Sequence, residues 1–397
     1  MPKIKTDFLI IGAGIVGLAL ALKLKTRFPE KEIIVLEKEE TLGAHSSGRN
    51  SGVLHAGFYY YPDSLKAKFT KKGNEELTRY CEAKGLSIRK CGKVVVTKSE
   101  EDLPTLYELK RRGEANGVEV YLIDEKELKE IEPNARTFQL ALWSPNTSTV
   151  NPIEILHAFK TDLEAEGVRF FFKTPYQKRL DENTILAGDL VFSAEKIINA
   201  AGLYADKIAK DFGFGKDYVI LPFKGLYLEY TGNSQFISRN IYPTPNLKNP
   251  FLGVHFTIKV DGTIKIGPTA TPCFSRENYQ IFSNLRFSEL VEITGYLGLL
   301  FFKNPKFRSL ALDELKKYHR RYLIKEAKKL VYRMDEKGFN RWGKPGIRAQ
   351  LLNKNTLELV QDFVIEGDKH SLHILNAVSP AFTACLPFAE YVVTRFF

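Results

Sequence analysis

The plainest chemical signal in this chain is the run Gly12-Ala13-Gly14-Ile15-Val16-Gly17, set between the apolar stretch Phe8–Ile11 and a helix-forming segment that reaches about Phe28. In the spacing G-x-G-x-x-G, Gly12 permits a tight turn, Gly14 lets a pyrophosphate approach the backbone, and Gly17 allows close packing of helix on strand. The helix start, with Ile15 and Val16 in its first turn, offers amides and a partial positive charge to phosphates. Glu37 ends the second apolar run, Ile33–Leu36, twenty positions beyond Gly17. An acid at this place accepts hydrogen bonds from a ribose and disfavours the 2′-phosphate of NADP. A different chemistry is suggested by His255, which stands between Val254 and Phe256. An imidazole in so apolar a setting suits proton transfer near working pH, or else is a core histidine satisfied by a backbone carbonyl.

FAD and NAD share the glycine fingerprint, and other segments weigh towards FAD. After Glu37 and Lys38 comes the loop His45 to Gly57, whose glycines and hydroxyls suit a backbone laid along an extended cofactor. Its expected contacts are Ser47, Arg49, Asn50, Ser51, Gly52 and Val53. Downstream, Ile197-Ile198-Asn199-Ala200-Ala201-Gly202 reads as a strand closing on small residues, so that Ala201 and Gly202 can approach the same pyrophosphate.

Composition narrows the remaining classes. A hydrophobic content of 44% with 26% charged residues indicates a globular protein with a sizeable core. Four cysteines lack the spacing of zinc or dithiol sites and the density of a disulfide framework, which points to a reduced, cytoplasmic setting. The formal charge of +11 attracts anions, but no nucleic-acid-binding signature accompanies it. The apolar run Phe8 to Leu22 is closed by Asp7, Lys23 and Lys25 and is short for a membrane span or export signal.

Longer blocks carry a family likeness. Gly48-Arg49-Asn50-Ser51-Gly52-Val53-Leu54-His55-Ala56-Gly57-Phe58-Tyr59-Tyr60, Ser64-Leu65-Lys66-Ala67-Lys68, Ala200 to Asp206, Pro250 to Thr257, Gly346 to Gln350 and Asn376 to Thr383 span most of the chain. In these the sequence resembles the FAD-dependent amine and hydroxy-acid oxidase superfamily and, within it, the L-2-hydroxyglutarate dehydrogenase or oxidase family. The resemblance implies hydride removal from C2 of L-2-hydroxyglutarate, or a similar small 2-hydroxy acid, to flavin N5. Related flavoenzymes of glycerol 3-phosphate or amino acids are the nearest alternative, and a redox-inactive flavin-binding or membrane-docking protein is a third.

Such oxidation needs a base for the hydroxyl proton and cations for the carboxylates. His255 and His55 are the expected proton acceptors, although His55 could simply order its loop. Arg49, Lys66, Arg276 and Arg348 are candidates for the carboxylates of a dicarboxylate substrate, with Tyr60 and Tyr242 as hydroxyl donors. Tethering of FAD through His45 is a further option. Ser379 and Pro380 are expected to open a helix running to Phe397, its amides with Ala381 and Thr383 facing the flavin and Gly346, Ile347 and Arg348 supplying a companion loop. Oxygen and quinone both remain open as acceptors. Leu297 to Phe302, followed by Lys316, Lys317, Arg320, Arg321, Lys325, Lys328 and Lys329, resembles a peripheral docking face for anionic lipid on the inner side of the cytoplasmic membrane, or else a buried helix end beside a solvated basic face.

The elements that must position these residues follow an α/β plan. A Rossmann-like FAD-binding domain, discontinuous over 1–88, 149–217 and 337–397, is expected beside an antiparallel-sheet substrate domain over 89–148 and 218–336. Helices are expected over 100–116, over 124–131 before Pro133, from Pro152 to about Gly167, and over 286–302 and 313–331. Asp261-Gly262 signals a hairpin in the β-rich stretch 218–267.

Overall fold

The computed structural model describes residues 3–233, 235–247, 253–280 and 283–397. The chain forms two compact units, Met1–Asn50 with Pro152–Pro222 and Ile347–Phe397, and Ser51–Asn151 with Phe223–Gly346.

The first unit is built on an eight-stranded sheet with the order Tyr176–Arg179, Thr184–Ala187, Leu190–Asn199, Lys3–Ile11, Ile33–Leu36, Arg169–Phe171; Ser371–Asn376 joins Leu190–Asn199 and carries Val364–Gly367. Lys3–Ile11 runs parallel to both its neighbours, in a register that sets Ile11 opposite Asn199 and Leu36. Parallel strands need crossovers, and helices Ile15–Arg27 and Pro152–Ala165 supply them. The first helix packs against Pro152–Ala165 and Cys385–Phe396, which is why its buried positions include Leu18, Ala19, Leu20, Ala21 and Leu24.

The second unit carries another eight-stranded sheet, Phe339–Trp342, Leu228–Tyr230, Ile264–Gly267, His255–Ile258, Asn240–Pro243, Lys93–Val96, Leu140–Ser144, Tyr121–Asp124. Its pairs are antiparallel except Asn240–Pro243 with Lys93–Val96. The Asp261-Gly262 hairpin joins His255–Ile258 to Ile264–Gly267, with Gly262 at φ +84° and the Asp261 carboxylate accepting from the Thr263 amide. Helix Glu125–Ile131 starts on a capping box between Asp124 and Glu127. One face of the sheet buries Val94, Val96, Ile241, Phe256, Ile258, Ile264 and Ile266 in a common apolar core.

Three expectations change. Residues 51–88, 149–151 and 337–346, assigned from sequence to the first domain, belong to the second unit, and 218–222 to the first; Val53–Leu54 and Ile88–Arg89 both pair with Ser148–Val150. The expected helix 313–331 is two helices, Pro305–Lys316 and Arg320–Lys328. The Asn304 side chain caps the first at the Phe307 amide with Pro305 at its start, and tight turns through Tyr318 and His319 end it. The last helix begins at Cys385 rather than at Pro380. Pro387 explains this: it has no amide and clashes with the carbonyl four residues back, so it is tolerated in a first turn but not seven residues into a helix. Residues 381–384 turn instead, with the Ala381 amide on the Val378 carbonyl and the Ala384 amide on the Pro380 carbonyl.

Candidate functional site

In the first unit, the glycine run forms the strand-to-helix turn. Gly12 has φ +107°, and a Cβ there would sit 2.6 Å from the Ala200 carbonyl oxygen, so the turn lies against the end of strand Leu190–Asn199. At Gly17 a Cβ would stand 2.0 Å from the Gly12 carbonyl oxygen, which makes glycine obligatory for seating the helix on the turn. The helix has no side-chain cap at Gly14 and no acid in its first turn. Its end is therefore dressed for an anion.

Two side chains brace this cradle. The Glu37 carboxylate accepts from the Ala13 amide at 3.1 Å and the Glu39 amide at 3.0 Å, one on each oxygen, and each oxygen keeps acceptor capacity for a sugar hydroxyl. Ser47 accepts from the Ile15 amide at 3.0 Å. The loop between them is knitted internally: Arg49 Nε donates to the Ala44 carbonyl, Asn50 Nδ2 to the Ser46 and Ser47 carbonyls, and Ser46 Oγ to the Ile347 carbonyl. Lys38 and His45 both meet the Glu39 carboxylate. Ala201 donates its amide to Asn199 Oδ1, and Gly202 takes φ +54°. Geometry of this kind, a glycine turn with no acid in the first helical turn and an acid at the second strand end, fits a dinucleotide with an unmodified ribose.

Other expected cofactor residues are distributed between the units. Ile347, Arg348, Ser379, Pro380, Ala381 and Thr383 are in the first; Ser51, Gly52, Val53 and Gly346 are in the second. With the helix starting at Cys385, Ser379 and Pro380 are turn residues, and the expected helix-end amides at Ala381 and Thr383 are replaced by turn geometry.

In the second unit a polar cluster occupies one face of the large sheet, opposite the apolar core. Side chains alternate along a strand, and the register puts Ile241 opposite Phe256, Thr257 opposite Lys265 and Ile241 beside Val94. With those apolar residues on the core face, Lys93, Tyr242, His255 and Lys265 share the other one. His255 is buried; its Nδ1 lies 2.8 Å from the Gly253 carbonyl, which can only accept, so the proton is on Nδ1 and the Nε2 lone pair is left as an acceptor. Its ring stacks on Tyr242 with centroids 3.7 Å apart and 18° between planes. Lys93 Nζ is 4.6 Å from the Tyr242 ring centre, 4.7 Å from that of Tyr59 and 5.0 Å from that of Phe58. Lys265 Nζ donates to the Ser51 carbonyl at 3.1 Å and lies over the Tyr227 ring. His55 follows strand Val53–Leu54, its backbone held by Asn74, whose Nδ2 reaches the Leu54 and His55 carbonyls.

Electrostatics in this cluster all run one way. Burial, then the positive charge of Lys93, brings His55 down to about 3. Burial also holds His255 well below the ordinary histidine range, with Lys93, His55 and Lys265 adding to the effect against the Gly253 hydrogen bond. Desolvation lowers Lys265 to about 8 and Lys93 to about 7, and raises the Tyr59 and Tyr242 phenols. At neutral pH both histidines are held towards the neutral form, beside Lys265, which is mostly charged, and Lys93, which is partly charged.

Of the carboxylate-binding candidates, Tyr242 belongs to the cluster. Tyr60 acts electrostatically on Tyr59 and Tyr242. Arg276 is fully buried, with its backbone amide on Glu289 and its guanidinium 3.7 Å from Glu292. Lys66 is on helix Leu65–Lys84. Of the block 250–257, Pro250, Phe251 and Leu252 lie outside the described residues. Lys93 and Lys265 were missed. Lys93 opens the unbroken run Lys-Val-Val-Val, which hides alternation, whereas Lys265 in Thr-Ile-Lys-Ile reads as an ordinary solvent-facing strand position.

Comparisons with known proteins place these features. The family model described as FAD dependent oxidoreductase matches residues 7–395. The mitochondrial L-2-hydroxyglutarate dehydrogenase of Nematostella vectensis is 35% identical over 425 residues, covering 99% of this chain and 91% of that protein. L-2-hydroxyglutarate dehydrogenase of Indibacter alkaliphilus is 35% identical, covering 98% of this chain and 99% of that protein. Among solved structures, the L-alpha-glycerophosphate oxidase of Mycoplasma pneumoniae with FAD bound has a TM-score of 0.77 at 22% identity, covering 99% of this chain and 94% of that one, a likeness of fold.

Proposed function

Because this chain belongs to the FAD dependent oxidoreductase family, and within it to the L-2-hydroxyglutarate dehydrogenases, we propose that it binds FAD on its first unit and oxidises L-2-hydroxyglutarate to 2-oxoglutarate. The observation that carries the reading is the buried His255, its Nδ1 held by the Gly253 carbonyl, on one sheet face with Tyr242, Lys93 and Lys265. When bound, FAD supplies the two-electron acceptor for the C2 hydride. Gly12, Gly14 and Gly17 with the helix start at Ile15 hold its pyrophosphate, and Glu37 its ribose.

The remaining chemistry belongs to side chains of the second unit. A secondary alcohol gives up its C2 hydride only as its hydroxyl proton leaves, and His255 Nε2 is the acceptor, oriented by the Gly253 carbonyl and the Tyr242 ring. His55 shares the hydroxyl. A protonated His255 is disfavoured in the empty field, and a dianionic substrate offsets that field with its two carboxylates, so the base gains strength when substrate is in place. Lys265, still mostly charged at neutral pH, is the cation for one carboxylate.

Anaerobic mixing with the purified yellow protein tests the reaction. Bleaching by L-2-hydroxyglutarate and not by its D isomer is the expected result. Bleaching by glycerol 3-phosphate or an amino acid alone would transfer the assignment to those substrates, and a bound flavin that nothing reduces would leave a binding protein.

A lipid-facing role is favoured by helix Phe287–Lys303, where Phe287 is 81% and Phe302 78% exposed, and by Leu312 and Leu315 of the helix packed beside it. Lys303, Lys306, Arg308, Lys316, Arg320 and Arg321, which follow or interleave these residues in sequence, are also exposed. No helix among the described residues is long and apolar enough to cross a membrane. Exposed apolar side chains with exposed cations close to them in sequence suit peripheral docking on anionic lipid and so a quinone acceptor. Sedimentation with phosphatidylglycerol vesicles, lost in Phe287→Asp/Phe302→Asp, is expected; equal binding by both proteins would remove this role.

A further inference from the structure

Lys93 is the least ordinary side chain in the molecule. It is completely buried, forms no ion pair or hydrogen bond through Nζ among the described residues, and is enclosed by the faces of Phe58, Tyr59 and Tyr242. A buried ammonium normally has a carboxylate beside it. Here its surroundings are aromatic, and ring faces attract a cation without cancelling its charge, so its field reaches the neighbouring groups. Both contact Tyr242: Lys93 Nζ lies 4.6 Å from its ring centre and the His255 ring stacks on it at 3.7 Å.

We propose that Lys93 is a positioning residue for proton transfer: an aromatic-caged cation that adds to burial in disfavouring protonation of His55 and His255, and whose charge a dianionic substrate offsets. This rests on the reading of His255 as the proton acceptor. Among the described residues, Cys91 bears on Lys93, Lys93 bears on His55, and His255 feels Lys93, His55 and Lys265. Tyr59 and Tyr242 face Lys93 with phenols held neutral by burial. Among the described residues no carboxylate acts on Lys93. Burial draws Lys93 down to about 7, and the three ring faces oppose this by favouring the ammonium. Removing the charge therefore makes an imidazolium easier to form, and the histidines titrate at higher pH.

The experiment compares the flavin-loaded parent, Lys93→Met and Lys93→Arg, whose charge does not titrate. Two quantities are followed against pH: the rate of flavin reduction by L-2-hydroxyglutarate, and the 15N shifts of the His55 and His255 rings without substrate. In Lys93→Met the acid limb of the rate and the imidazole titration should both move up by about one pH unit, while Lys93→Arg keeps the parent profile. Should Lys93→Met not fold, Lys93→Gln reads the same shift. Coincident profiles for parent and the uncharged variant, or an arginine variant that behaves as the methionine one, would overturn the proposal. A parent that L-2-hydroxyglutarate fails to reduce would defeat the substrate assignment instead, and the ring titration would still decide the role of Lys93.

Discussion

The glycine cradle of the first unit and the histidine cluster of the second solve binding by opposite means. The cradle is made of backbone: amides at a helix end, a carbonyl at a strand end, and glycines where any Cβ would collide. Apart from the Ala200 carbonyl its parts lie close in sequence, so spacing encodes them. The cluster is made of side chains from four separated strands, brought to one sheet face by register, with His55, Phe58 and Tyr59 added from a separate segment. A local backbone device tolerates almost no change at a few positions, whereas a side-chain field is graded and can be tuned one charge at a time.

That contrast can be broken most severely at Gly17. Valine there would drive Cβ into the Gly12 carbonyl, and flavin content on purification is expected to fall below about a tenth of the parent's, since overpacking costs ~1–3 kcal/mol or more at a site that must also hold the cofactor. Normal flavin content would show that the cradle is not the binding element. On the other side, His55→Asn should leave flavin content unchanged and slow single-turnover reduction by about 10–100-fold, at the low end of general-base effects. An unchanged rate would demote His55 to ordering its loop.

Smaller effects sharpen the contrast further. Lys265 titrates at about 8, so as pH rises through that value its ammonium is lost and the KM for the dianion should climb; Lys265→Met should raise KM about tenfold at pH 7 and flatten this rise. A parent-like pH profile in the variant would take Lys265 off the substrate. Glu37→Gln keeps one acceptor oxygen and should weaken FAD binding only several-fold, roughly the ~1 kcal/mol of a hydrogen bond. Equilibrium flavin titration reads it, and unaltered affinity would mean that Glu37 only braces the Ala13 amide.

The same contrast explains what the residues disclosed in advance. Strand, glycine turn, helix and Glu37 were legible because each is a local pattern with one physical solution. His255 and Tyr242 were legible as residues, but their stacking was not, because it depends on the Ile241–Phe256 register. Lys93 was hidden by an apolar run buried on both sides. The end of the chain misled for a local reason: Ser379-Pro380 looks like a helix start, and Pro387 overrides it.

The most direct measurement takes flavin content and anaerobic single-turnover reduction from the same sample of His255→Asn. Full occupancy with reduction slowed about a hundredfold or more is the outcome expected if holding the cofactor and moving the proton are separate tasks of separate residues. Reduction at the parent's rate, or loss of the flavin itself, would contradict it.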